Sequence, residues 1–247
     1  MNKKLVIFNL KMNAPVLADW RKIGKSKADI VVCPSFTHIE KLKKELPKNI
    51  KLGGQNVFWE NQGAYTGEIS PEMLKNLEVE YVVIGHSERR KYLGETDKMI
   101  NKKVLAALKA GLKVVLCIGE NLIIRKRGIK AVKNFIKGQL QKDIAGVSSF
   151  KFQVSRNLFI AYEPVWAIST SGAGKACSPE DALEIIKFIN QILNPQSSIL
   201  NSKVIYGGSI DGKNVADFVK YKDIDGVLVG GASLKSKEVL EIIKKVG

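Results

Sequence analysis

Residues 81–119 read YVVIGHSERRKYLGETDKMINKKVLAALKAGLKVVLCIG. The stretch opens on an apolar, β-branched run, YVVIG (81–85), and closes on a second, LKVVLCIG (112–119). Between them, Thr96 to Ala110 puts Met99, Ile100, Val104, Leu105 and Leu108 on one stripe of an amphipathic helix. Near-continuous apolar runs of this length predict parallel strands covered on both faces. Working outward, six more runs repeat the theme: LVIFN (5–9), DIVVCP (29–34), IKLGGQN (50–56), LFIAYEP (158–164), KVIYGG (203–208) and GVLVGG (226–231). Another helix start is written in Ser178-Pro179-Glu180-Asp181, with an N-cap, a proline at the first helical position and acids in the first turn. Eight β-then-α units with no composition break predict a closed (β/α)8 barrel of eight parallel strands, one domain over residues 1–247. An open doubly wound sheet would want a glycine-rich dinucleotide fingerprint after an early strand, and none follows LVIFN.

Composition narrows the function classes. Of 247 residues, 45% are hydrophobic, enough for a sizeable core. No run is long and apolar enough to span a bilayer, and the apolar stretch near the N-terminus is too short for a signal-peptide core, so a cytoplasmic location is expected. Three cysteines, Cys33, Cys117 and Cys177, lack the spacing of a disulfide framework or a zinc site. With only His38 and His86, a histidine-rich metal site is excluded, although a carboxylate-bound magnesium is not. The net charge of +16 raises nucleic acid, membranes and anionic substrates as partners. The lysines are spread along the chain, and pairs such as Lys43-Lys44 and Lys102-Lys103 fall at helix-surface spacing. No basic tail or aromatic-interleaved basic run appears, which argues against nucleic acid and membrane. A lysine-biased surface is the plainer reading, with a field favouring phosphate substrates as a side effect.

The polar and glycine signals sit just after the strands, where all strand ends of a barrel converge on one rim. Glu163, in AYEPVWA, ends the sixth run; burial beside Val165 and Trp166 would strengthen it as a base, while a structural ion pair fits the same pattern. His86, after the fourth run and before a charged stretch, is expected at a helix start. Free backbone N–H groups there favour a neutral ring able to act as an electrophile; a hydrogen-bonded structural histidine is the alternative. Lys11, flanked by Asn9 and Asn13, suits phosphate or a developing oxyanion, or simply solvent. Gly207-Gly208-Ser209 and Gly230-Gly231-Ala232-Ser233 end the last two runs, the usual place for phosphate in this architecture.

Together these stretches resemble the triosephosphate isomerase family over nearly the whole chain. The matching segments are FNLKMN, GGQNVFWENQGAYTGEIS, VVIGHSERR, LGETD, LCIGE, AYEPVWAI, YGGSI and GVLVGGASLK. The resemblance implies a TIM barrel that interconverts dihydroxyacetone phosphate and D-glyceraldehyde 3-phosphate through an enediolate, in glycolysis and gluconeogenesis, without metal or cofactor. It implies Glu163 as the base, His86 as the neutral electrophile, Lys11 as a fixed positive charge and Asn9 as a donor. It further implies that Ser169, Ser209, Gly230 and Gly231 bind phosphate through backbone N–H groups. Glu95 and Tyr206 are supporting residues, with Glu95 holding the lysine and the rim in place. The segment from Pro164 would close as a lid, and GAYTGEIS, with Thr66, would reach into a second subunit of a homodimer.

Two departures from the family pattern stand out. Leu10 replaces a usual tryptophan, which predicts a packing change only. The lid reads AISTSGAGKACSPE, a few residues longer than usual, with Ser169 in place of a glycine, so phosphate is expected to order an otherwise mobile tip. Two rival readings remain at the level of sequence: another phosphate-binding barrel enzyme, or a catalytically impaired barrel acting as a basic binding protein.

Overall fold

The computed structural model describes residues 3–15, 23, 26–147, 157–168, 176–193 and 202–247. Eight parallel strands close into one barrel in sequence order. They are β1 (Leu5–Asn9), β2 (Asp29–Cys33), β3 (Ile50–Gly54), β4 (Tyr81–Ile84), β5 (Lys113–Ile118), β6 (Leu158–Tyr162), β7 (Lys203–Tyr206) and β8 (Gly226–Val229). Closure is made by β1 against β8, Leu5 opposite Gly226 and Phe8 opposite Val229. Among the described residues, no helix is long and apolar enough to cross a membrane.

Strand alternation places the two cores. Leu5, Ile7, Val31, Cys33, Val115, Cys117, Phe159 and Ala161 cluster inside the barrel. Their neighbours Val6, Phe8, Val32, Val114, Leu116 and Ile160 pack outward against the helices. Both faces are apolar, which is why the runs read as continuous rather than alternating. Because successive side chains point to opposite faces, Leu5-Ile7 leads inward to Asn9 and Phe159-Ala161 leads to Glu163. The same step carries Ile205 to Gly207 and Leu228 to Gly230. Inward parity at the strand ends therefore fills the mouth of the barrel.

The helices between the strands are α1 (Ile39–Glu45), α2 (Pro71–Asn76), α3 (Ser87–Tyr92), α4 (Asp97–Lys109), α5 (Leu122–Lys126), α6 (Ile129–Asp143), α7 (Pro179–Leu193), α8 (Val215–Val219) and α9 (Ser236–Val246). Ser178 caps α7, its hydroxyl accepting the Asp181 N–H at 3.1 Å. Thr96 caps α4 by accepting from Met99 N. The buried face of α4 is Ile100, Lys103, Val104, Ala107 and Leu108. Met99 and Leu105 sit on its flanks. Lys103 corrects the expectation of a surface lysine pair: it is only 2% exposed. Its ammonium donates to Asn56 Oδ1 at 2.8 Å and pairs with Glu95.

Candidate active site

The strand ends surround a cavity of about 460 Å³ at the C-terminal mouth of the barrel. Asn9, Lys11, His86, Glu163, Ser209, Gly230 and Gly231 line it, and Gly230 lies beside the Lys11 side chain, where a Cβ would stand 3.2 Å from Lys11 Cε.

Glu163 follows β6 directly and is 1% exposed. Its Oε2 accepts the Ser87 N–H at 3.1 Å. Among the described residues its Oε1 has no hydrogen-bond partner, and it lies 3.4 Å from His86 Nε2. Gly207 makes room for this carboxylate, because a Cβ there would stand 2.8 Å from Glu163 Cγ. The Cys117 thiol beside it is pushed well above its ordinary pKa by burial and by the Glu163 charge, so it stays protonated.

His86 is the N-cap of α3, and its Nδ1 accepts the Glu88 N–H at 3.2 Å. A nitrogen that accepts carries no proton, which assigns a neutral ring with its proton on Nε2, the nitrogen facing Glu163. The start of one helix thus gives one free N–H to the carboxylate and the next to the imidazole. Arg90 anchors that helix, with Nε to Gly85 O at 2.8 Å and its fork shared between Asp97 and Asp143.

Lys11 has a φ of 51°, a left-handed conformation that a lysine rarely adopts. Two contacts hold it there. Lys11 N donates to Asn9 Oδ1 at 2.9 Å, and the Gln55 side-chain amide donates to Lys11 O at 2.9 Å. The ammonium meets Glu88 Oε1 at 2.6 Å.

After β8, Gly231–Leu234 forms a single 3-10 turn. The buried Ser233 hydroxyl lies 3.0 Å from Asn9 O and 2.9 Å from Val229 O, bolting this turn to the end of β1. Ser209 Oγ donates to Ala167 O at 2.8 Å. Among the described residues, no group of three histidines, cysteines or acids is arranged to hold a metal ion.

A buried carboxylate, an imidazole, an ammonium and two glycine turns thus meet in one barrel mouth. The family model for triosephosphate isomerase matches residues 4–246. The chain belongs to the triosephosphate isomerase family. A triosephosphate isomerase of Carboxydothermus hydrogenoformans is 44% identical over 223 residues, covering 89% of this chain and 86% of that one. One from Alkaliphilus oremlandii is 42% identical over 254 residues, covering 98% and 99%. One from Dictyoglomus turgidum is 40% identical over 258 residues, covering 99% and 100%.

Measured against what the triosephosphate isomerase resemblance implied, one assignment changes. The carboxylate that meets Lys11 is that of Glu88, not of Glu95. Glu95 is buried elsewhere, with Arg89 Nε at 2.6 Å from its Oε1 and Lys103 on the same oxygen. The reason is geometric: Glu88 lies in the first turn of α3, beside His86, whereas Glu95 lies beyond the end of that helix. Glu88 and Arg90, which brace Lys11 and the helix that starts at His86, were not singled out by sequence reasoning. The signal for Glu88 was available, as an acid in the first turn after the rim histidine. Tyr206 is fully buried at the end of β7, its ring stacked on Phe218 at 4.2 Å. Thr66 is exposed on a loop closed at its base by Phe58 N donating to Ile69 O at 2.8 Å. Ser169 and the lid tip, 169–175, lie outside the described residues.

Proposed function

We propose that this chain interconverts dihydroxyacetone phosphate and D-glyceraldehyde 3-phosphate, each copy working as one catalytic barrel domain within a homodimer. The observation that carries the reading is the buried Glu163 Oε1, without a hydrogen-bond partner among the described residues and 3.4 Å from the protonated nitrogen of a neutral imidazole. A buried oxygen without a partner is rare and is best explained by a task. Glu163 takes a proton from the carbon next to the substrate carbonyl. The electron pair of that C–H bond forms the carbon–carbon double bond, and the carbonyl oxygen becomes the enediolate oxygen. His86 Nε2–H donates to it, and Lys11 holds a positive charge nearby. Asn9 adds the NH2 of its amide, since its Oδ1 is already taken by Lys11 N. His86 relays the remaining hydroxyl proton from one enediolate oxygen to the other, and Glu163 then returns its proton to the neighbouring carbon, so that the carbonyl re-forms at the carbon first deprotonated. The N–H groups of Ser209, Gly230, Gly231 and Ser169 bind the phosphate.

A coupled assay on glyceraldehyde 3-phosphate tests this. Turnover is expected, and it should be unchanged by a chelator, because the enediolate charge is met by Lys11 and His86. No turnover from a folded protein that still binds inorganic phosphate would favour the catalytically impaired barrel instead.

The dimer is supported by large apolar side chains left exposed after β1 and at the end of α3. Met12 is 94% exposed, Tyr92 64% and Leu93 59%. The Thr66 loop projects with its own packing, Phe58 stacked on Trp59 at 4.1 Å and near Tyr65 at 4.7 Å. Sedimentation should give twice the 27.3 kDa chain mass. A monomer at assay concentration would remove the homodimer from the proposal.

A further inference from the structure

The phosphate wall of the cavity is made by two separate loops, one after β7 carrying Ser209 and one after β8 carrying Gly230 and Gly231. Backbone donors bind an anion well only when their spacing is fixed in advance. Within the first loop, Asp211 Oδ1 accepts the N–H groups of Lys213 and Asn214 at 2.8 and 2.9 Å. The Asn214 side-chain amide donates to Ser209 O at 3.2 Å. These bonds shape the loop but do not attach it to its neighbour.

The attachment is made at Gly212. Its buried N–H donates to Glu238 Oε2, in the first turn of α9, at 2.7 Å. The contact is so close that a Cβ on Gly212 would stand 2.6 Å from Glu241 Cγ, with Glu238 Oε2 at 3.2 Å. Glu238 itself lines the cavity. A carboxylate on the wall that takes a phosphate repels the ligand, so its presence there calls for a compensating task.

We propose that Glu238 is a positioning residue of the phosphate site: by accepting the Gly212 N–H it clasps the Ser209 loop to the helix that follows the Gly230-Gly231 turn, fixing the distance between the two sets of phosphate donors. The inference rests on the isomerase reading for its substrate, but the clasp itself is a matter of anion binding. Removing the acceptor leaves a buried N–H unsatisfied, which the loop relieves by moving toward water.

The test compares Glu238→Ala with Glu238→Gln, which keeps an acceptor oxygen without the charge. In Glu238→Ala, KM for glyceraldehyde 3-phosphate should rise roughly five- to fifty-fold while kcat changes less than about threefold. Affinity for inorganic phosphate, titrated calorimetrically, should fall by a similar factor. Turnover of glyceraldehyde, which carries no phosphate, should be unchanged. Glu238→Gln should restore KM and phosphate affinity. Unchanged phosphate affinity in Glu238→Ala would overturn the clasp. So would an equal loss with glyceraldehyde, which marks general damage, or a Glu238→Gln as weak as Glu238→Ala, which marks a role for charge alone. If the unaltered chain lacked isomerase activity, the functional reading would fall, and the phosphate titrations would still decide the clasp.

Discussion

Glu163→Asp is expected to lower kcat by roughly 10²- to 10⁴-fold, the span of a general-base contribution, with a far smaller change in KM. The shorter arm withdraws the carboxylate by one methylene from His86 Nε2 and from the Ser87 N–H it now accepts. The phosphate wall is built from other strands and stays as it is, so binding is spared. Gly207 leaves the carboxylate its space, and nothing on that side would push the aspartate forward to compensate. Steady-state kinetics beside a thermal melt separate the two possible failures. A variant with near-normal kcat removes Glu163 from the chemistry, and one that melts early without a kinetic loss makes it a structural carboxylate.

The barrel was legible because its strands are buried on both faces, which leaves eight continuous apolar runs in the sequence. The runs overshoot the strands at their C-terminal ends. Gln55-Asn56, Glu163-Pro164, Gly207-Gly208 and Gly230-Gly231 read as strand yet lie beyond the last paired residue. These are the residues that leave the ladder to make the mouth of the barrel, so the misplaced boundaries mark the site. The pairing of rim residues was less legible. Glu88 and Glu95 are both acids after the same histidine, and composition does not say which one Lys11 reaches. That depends on α3 ending at Tyr92, which carries Glu95 away from the rim. Nor does sequence reveal the left-handed turn at Lys11, since the Gln55 amide that steadies it comes from just beyond β3, 44 residues on.

Lys103 was hidden for a different reason. A lysine beside another lysine, in a helix rich in cations, reads as solvated surface, and nothing local contradicts it. What overrides the pattern is Glu95, eight residues back, delivered to the same spot under the barrel rim. The pair is buried on both sides, with side chains 3% and 2% exposed. Neither charge can be hydrated, so removing one leaves the other without adequate company. Glu95→Ala is therefore expected to cost about 3–5 kcal/mol of stability, the penalty for an orphaned buried charge. For a chain of this size that is a fall on the order of 10 °C in melting temperature. Lys103 would retain Asn56, a neutral partner, and the more distant charge of Glu68. A double variant, Glu95→Leu with Lys103→Met, should recover much of the loss, because the desolvation of both charges disappears together. Catalysis well below the melting temperature should stay close to normal, since Lys11 keeps its own partner in Glu88. Thermal melts and kinetics on the two variants decide between the two roles for this glutamate. If Glu95→Ala melted normally but lost kcat as a Lys11 variant would, then Glu95 would be acting on the lysine after all, and the buried ion pair would be incidental.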